Sequence, residues 1–283
     1  MNKQSNTYIV TYATILVVIV ATVLSFAAIE LQPMQQANVK TEKMGAILNA
    51  IGAGDGADAA ADKNSYVAGE FAKYITGAFF VDSTGRVSEA PVEEVLASLN
   101  DLPAVFAAKT AMPVFVATLS DKAKEYVVPV TGKGLWGPVW GYIALNENCH
   151  TIEGAVFDHK GETPGLGAEI ATKPFQNQFI DKQIFNKEGL FVSINLLKGK
   201  GSSAGNPYAV DAISGGTLTS NGVKAMLFNC LGSYEPFFRN VQNTAGQPAA
   251  PVADTIATGA EMPATDSLTV IPTDTTLTKG EAK

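Results

Sequence analysis

Basic residues, cysteines and histidines are scarce in this chain of 283 residues, and each scarcity closes off a class of function. Lysine and arginine number 20 against 27 acidic residues, a formal charge of -7. No nucleic acid is expected as a partner, because no basic patch is available to displace counterions from a phosphate backbone. The two cysteines, Cys149 and Cys230, form no Cys-x-x-Cys pair. The two histidines, His150 and His159, stand in no metal-ligand spacing, so no metal centre is expected. A Cys149–Cys230 disulfide is permitted outside the cytoplasm, but sequence alone does not bring the two together. The chain also shows no dinucleotide fold of the Gly-x-Gly-x-x-Gly type and no multi-span transport region, so neither a dinucleotide nor a transported ion is expected to bind here.

What the chain does have is one long uncharged run. From Tyr8 to Ile29, 22 residues dominated by Ile, Val, Leu, Ala and Thr can cross a hydrocarbon core at about 1.5 Å per residue. A cleaved signal peptide is the competing reading, with Ser25-Phe-Ala27 as a loose cleavage site. The run exceeds the roughly 7 to 15 apolar residues usual for such a peptide. Lys3 precedes the run and Glu30 follows it, a bias that keeps residues 1–7 in the cytoplasm and sends the body of the protein across the membrane.

Beyond the span, Met44, Ile47, Leu48 and Ile51 have helical spacing, and Gly52 to Ala57 must be a break. A helix over Ser65–Ile75, a strand over Ala78–Val81 and a short helix over Val92–Leu99 complete an accessory segment, residues 30–110. Strand-like runs follow at Val114–Leu119, Tyr126–Val130, Val139–Leu145 and Ile152–Phe157. Leu166–Ala171 and Pro174–Ile180 read as helical, Leu190–Leu196 as a strand and Val223–Val241 as a closing helix. Strands segregated from helices predict an α+β domain with an antiparallel sheet and flanking helices over residues 111–243, after a single N-terminal transmembrane helix. Residues 244–283, rich in Thr, Ala, Pro, Gly and Asp, are expected to be a disordered tail.

The densest information lies in Asp211-Ala-Ile-Ser214-Gly215-Gly216-Thr217-Leu-Thr219-Ser220, where small residues let the backbone approach a ligand and several hydroxyls are presented. Val223, Met226, Leu227, Cys230 and Leu231 then repeat at the spacing of one helix face, which places Thr217 just before a helix N-terminus. Free N–H groups and the positive end of the helix dipole would favour a phosphate there. A plain loop with a Ser or Asn cap is the alternative. Gly161-Glu162-Thr163-Pro-Gly165-Leu166-Gly167 is a second glycine-rich loop, and Gly132-Lys-Gly-Leu135-Trp136-Gly-Pro-Val-Trp140 a third.

These three segments, in this order, resemble the covalent FMN-binding domain family. Within it they are most similar to the branch formed by the C subunit of the sodium-translocating NADH:quinone oxidoreductase. The flavinylation motif there is usually written Asp-x-x-Ser/Thr-Gly-Ala-Thr, with Gly216 replacing the alanine here. The resemblance implies FMN held covalently as a phosphoester on Thr217 and installed by a separate flavin transferase that reads Asp211 and Ser214. It further implies that Thr219 and Ser220 bind the phosphate or cap the helix, and that Glu162 and Thr163 face the isoalloxazine. Leu135, Trp136 and Trp140 would pack on the flavin, on a neighbouring subunit or in this chain's own core. Lys198 and Lys200 would neutralise phosphate or remain surface lysines. The implied role is electron relay toward the flavin of the B subunit, with the B, D and E subunits among the partners. The implied setting is a bacterial inner membrane, with the domain on the periplasmic side. The flavin subunit of the related Rnf complex shares the motif and the anchor, but Gly134-Leu-Trp136 and the segment before residue 110 favour the first branch. A non-redox assembly protein with a decayed site is the reading from another class.

Overall fold

The computed structural model describes residues 5–57, 59–119 and 124–245, which fall within one unit, Met1–Gln247; the expected tail lies outside the described residues apart from its first two positions. Among the described residues six α-helices, α1 (Asn6–Ala50), α2 (Lys63–Tyr74), α3 (Val92–Ser98), α4 (Leu102–Ala108), α5 (Lys173–Gln176) and α6 (Thr217–Ala245), accompany eight strands. These are β1 (Ile75–Val81), β2 (Val87–Glu89), β3 (Met112–Thr118), β4 (Lys124–Lys133), β5 (Pro138–Leu145), β6 (Ile152–His159), β7 (Asn195–Leu197) and β8 (Ala209–Asp211). The first six form one antiparallel sheet in the order β2-β1-β3-β4-β5-β6. The α+β class is as expected.

Both faces of this sheet are covered, and the period of two along each strand sorts the side chains between them. Tyr126, Val128 and Val130 of β4, with Val139, Ile143 and Leu145 of β5, join Val223, Met226, Leu227, Cys230 and Leu231 of α6 in one core. Val127, Tyr142 and Ala144 point the other way, into a second core with Ile47 and Leu48 of α1, Phe71 of α2 and Leu96 of α3. Double burial explains why these strands read as near-continuous apolar runs.

Three expectations need correction. The uncharged run and the helix expected after it are one continuous helix of 45 residues, about 68 Å long, whose last two turns enter the second core. Pro33 lies inside it and lacks an N–H, so the Ile29 carbonyl at the end of the uncharged run loses its helical donor without ending the helix. The segment expected to be accessory supplies β1, which pairs with β3, so it is part of the sheet itself. The strand expected over Leu190–Leu196 is reduced to Asn195–Leu197, because the Val192 and Ser193 N–H groups both turn onto the Ile184 carbonyl and Ser193 adopts φ 57°. Its partner, β8, runs parallel to it and was not anticipated.

Gly132, Gly134 and Gly137 do have dinucleotide-motif spacing, but they lie in the hairpin joining antiparallel β4 and β5. A strand, turn and helix are needed for that chemistry.

Candidate functional site

The α6 helix begins at Thr217 itself, not at Asn221 or beyond, and extends to Ala245, two residues into the stretch assigned to the tail. Its first backbone bond runs from the Ser220 N–H to the Gly216 carbonyl at 2.8 Å, so a glycine occupies the capping position and no Ser or Asn caps it. Gly215, at φ 74°, turns the chain into the helix through the left-handed region, which a side chain would disfavour. Thr217 is exposed, and the N–H groups of the first turn lack intrahelical acceptors.

Thr217 stands between two concavities. On one side is a groove of about 1000 Å³ lined by Gly165, Phe175, Lys198, Lys200, Ser214 and Gly215 among others. On the other is a cleft of about 130 Å³, walled by Leu135, Glu162, Thr163, Leu166, Gly216 and Leu218. The groove matches the upper range of pockets that hold drug-sized ligands, and the cleft extends it with an apolar rim. Leu135, Trp136, Leu166 and Leu218 are all exposed, Trp136 at 70%. Large apolar side chains clustered at the surface beside a candidate anchoring residue mark a binding face.

The motif residues divide by role. Asp211 does not reach Thr217: its carboxylate accepts from the Gly201 N–H and, at 2.8 Å, from the Ser203 N–H. Those bonds hold the Asp211 carboxyl below the usual carboxylate range, and they fix the loop that carries Lys198 and Lys200 along the groove wall. Ser214 and Gly215 line the groove. Ser220 points inward, its Oγ accepting from the Ile213 N–H at 3.1 Å, and Thr219 is buried with its hydroxyl donating to Glu162. Neither hydroxyl caps the helix.

Glu162 lines the cleft from a buried position. Its side chain is buried, and both carboxylate oxygens are engaged by protein donors. Thr163, Gly165 and Leu166 of the same loop are exposed along the two concavities, with Gly167 buried behind them. Trp140 lies elsewhere, lining a cavity of about 730 Å³ between α1 and the sheet with Tyr142 and Lys43. Cys149 and Cys230 are free and buried, Cys230 meeting Thr131 across the α6 face. Among the described residues no group of acidic, His or Cys side chains could hold a metal ion.

Sequence reasoning missed Gln178, whose side-chain oxygen accepts from the Asp211 N–H at 2.9 Å, and Phe175 in the groove wall. Neither carries a local signal, because Gln178 stands 33 residues before Asp211 and only the fold brings its turn to the motif.

Comparison with known proteins identifies the domain and the family. The model of a family described as an FMN-binding domain matches residues 134–232, which contain the groove, the cleft and both loops. The C subunit of the Na(+)-translocating NADH-quinone reductase of Haemophilus ducreyi is 29% identical, over 87% of this chain and 98% of that protein. The C subunit of the Vibrio vulnificus reductase is 30% identical over 78% and 89% respectively. The crystal structure of the C subunit from Parabacteroides distasonis superposes with a TM-score of 0.63 at 38% identity, covering 74% of this chain and 96% of that one. Shared identity over most of both chains, together with the shared fold, places this chain in the family of Na(+)-translocating NADH-quinone reductase C subunits.

Proposed function

We propose that this chain is the membrane-anchored flavin subunit of a sodium-translocating NADH:quinone reductase, carrying FMN as a phosphoester on Thr217 and passing electrons toward the flavin of the B subunit. The carrying observation is the exposed Thr217 hydroxyl at the first residue of α6, set between a groove and a cleft within an FMN-binding domain. FMN, when bound, supplies the redox chemistry. The chain's own residues hold and orient it. First-turn N–H groups of α6 and the lysines 198 and 200 would meet the phosphate, and Gly215 and Gly216 let the backbone come close. Leu135, Trp136 and Leu166 offer an apolar wall, with Thr163, Gly165 and Gly167 shaping its loop. Asp211, Thr219 and Ser220 act from behind by fixing this frame, and Ser214 faces the groove.

The attachment is made by a separate flavin transferase, and the other subunits of the complex, B, D and E foremost, are the partners. The uncharged run is helical throughout and none of it is buried within the protein, as a membrane anchor requires, and the charge bias around it puts the domain on the periplasmic side of a bacterial inner membrane. Co-expression with the transferase tests the reading directly. The peptide containing Thr217 should gain the mass of FMN less one water, and the denatured protein should fluoresce on a gel. Thr217→Ala should abolish both; FMN retained in that variant, or found on Thr219, would overturn the assignment.

A further inference from the structure

Glu162 forms part of the wall of the cleft beside Thr217, yet it is only 4% exposed. Its Oε1 accepts from the Trp136 N–H at 2.8 Å, and its Oε2 accepts from the Thr219 hydroxyl. Its own N–H donates to His159 Nδ1 at 3.2 Å. One carboxylate thereby joins the β4–β5 hairpin, the Gly161–Gly167 loop and the first turn of α6. Glycines make the space: a Cβ on Gly134 would collide with Oε1, and one on Gly167 with Oε2 and the Thr219 hydroxyl. Burial works against ionisation of Glu162, but the bonds from Thr219, Trp136 and Gly137, with His159 nearby, outweigh it and hold the carboxyl below its ordinary range.

We propose that Glu162 is a positioning residue of the flavin site, whose carboxylate ties the Trp136 turn to the first turn of α6 and biases a flavin held there against gaining negative charge. The proposal rests on the FMN reading above. A strut between two distant segments keeps the apolar and phosphate-facing sides of the site in one geometry. A buried negative charge raises the cost of placing another beside it, because the low local dielectric screens it poorly. Trp136 is the exposed apolar residue whose backbone Glu162 holds, so loosening the strut should disturb the wall that the ring meets.

The test uses the full chain, flavinylated by co-expressed transferase, with Glu162→Gln, Thr219→Val, Thr219→Ser and the Glu162→Gln/Thr219→Val pair. Each should still carry FMN mass. Glu162→Gln should shift the flavin toward its reduced form about tenfold, roughly 30 mV for a two-electron couple, and alter the visible circular dichroism. Thr219→Val should move the dichroism the same way, and Thr219→Ser, which keeps the hydroxyl, should restore it. The double variant should resemble the more severe single, since both substitutions act on the same Glu162–Thr219 contact. An unchanged potential and dichroism in Glu162→Gln, a Thr219→Ser that behaves like Thr219→Val, or strict additivity would overturn the proposal. Absence of FMN from the unmutated protein would instead refute the underlying reading.

Discussion

Gly216 faces Ile213 so closely that a Cβ added to the glycine would stand 2.9 Å from the Ile213 Cγ2 methyl. Ile213 is half-buried and packed against the α6 core, so the methyl cannot simply swing away. The glycine at this position therefore has a packing reason. Gly216→Ala alone should destabilise the domain by about 1–3 kcal/mol through overpacking. In an Ile213→Ala background the same change should cost much less, with a coupling of at least about 0.5 kcal/mol in a double-mutant cycle measured by urea unfolding. Additive effects would show that the two residues do not compete for space.

Acid should weaken the fold through Glu162. Its folded pKa lies below that of the unfolded chain, so its contribution is fully present above the unfolded value, about 4.3, and is lost as pH falls through the folded value. Urea midpoints between pH 7 and pH 3 should fall less steeply in Glu162→Gln than in the unmutated protein. Parallel curves would mean that folding leaves the Glu162 pKa unshifted.

Asp211 should guard the lysine loop. Removal of its carboxylate frees the Gly201 and Ser203 N–H groups together. Asp211→Ala should raise the rate of tryptic cleavage at Lys198 and Lys200 several-fold while leaving cleavage at Lys133 unchanged. Equal rates before and after substitution would assign the loop's order to other contacts.

The helix α1, a candidate membrane span, should have two separable roles. Deleting residues 1–32 should yield a soluble, folded domain, because the buried residues of α1 begin at Met44. Deleting residues 1–50 should not, since Ile47 and Leu48 are fully enclosed in the second core. Leu48→Ala in the shorter truncation should cost about 2–5 kcal/mol, read from its thermal or urea transition. A folded protein lacking all of α1 would show that the second core closes without it.

Orientation can be read from protease access. With the domain on the periplasmic side, protease added to spheroplasts should digest everything after about Gln32, whereas inverted vesicles should protect it. The opposite pattern would reverse the topology inferred from Lys3 and Glu30.

Much of this was legible in local pattern. The stripe Val223, Met226, Leu227, Cys230, Leu231 is buried as its spacing requires, the strands of the main sheet other than the short, exposed β2 fall where the apolar runs stand, and the glycine-rich loops mark the candidate site. Such features depend on residues a few positions apart, so one chain is enough to show them. The position of charge is another matter. Glu162 reads as a polar group free to meet a ligand, but its partners Trp136 and Thr219 lie 26 and 57 residues away, and only folding makes it an internal strut. Asp211 reads as part of an attachment signal, and the fold turns it toward Gly201 and Ser203. Composition and periodicity thus determined the long apolar helix, the α+β class and the start of α6 close to Thr217. The tertiary structure decided which polar groups face the groove, because a buried carboxylate is tolerated only where distant segments converge to supply its donors.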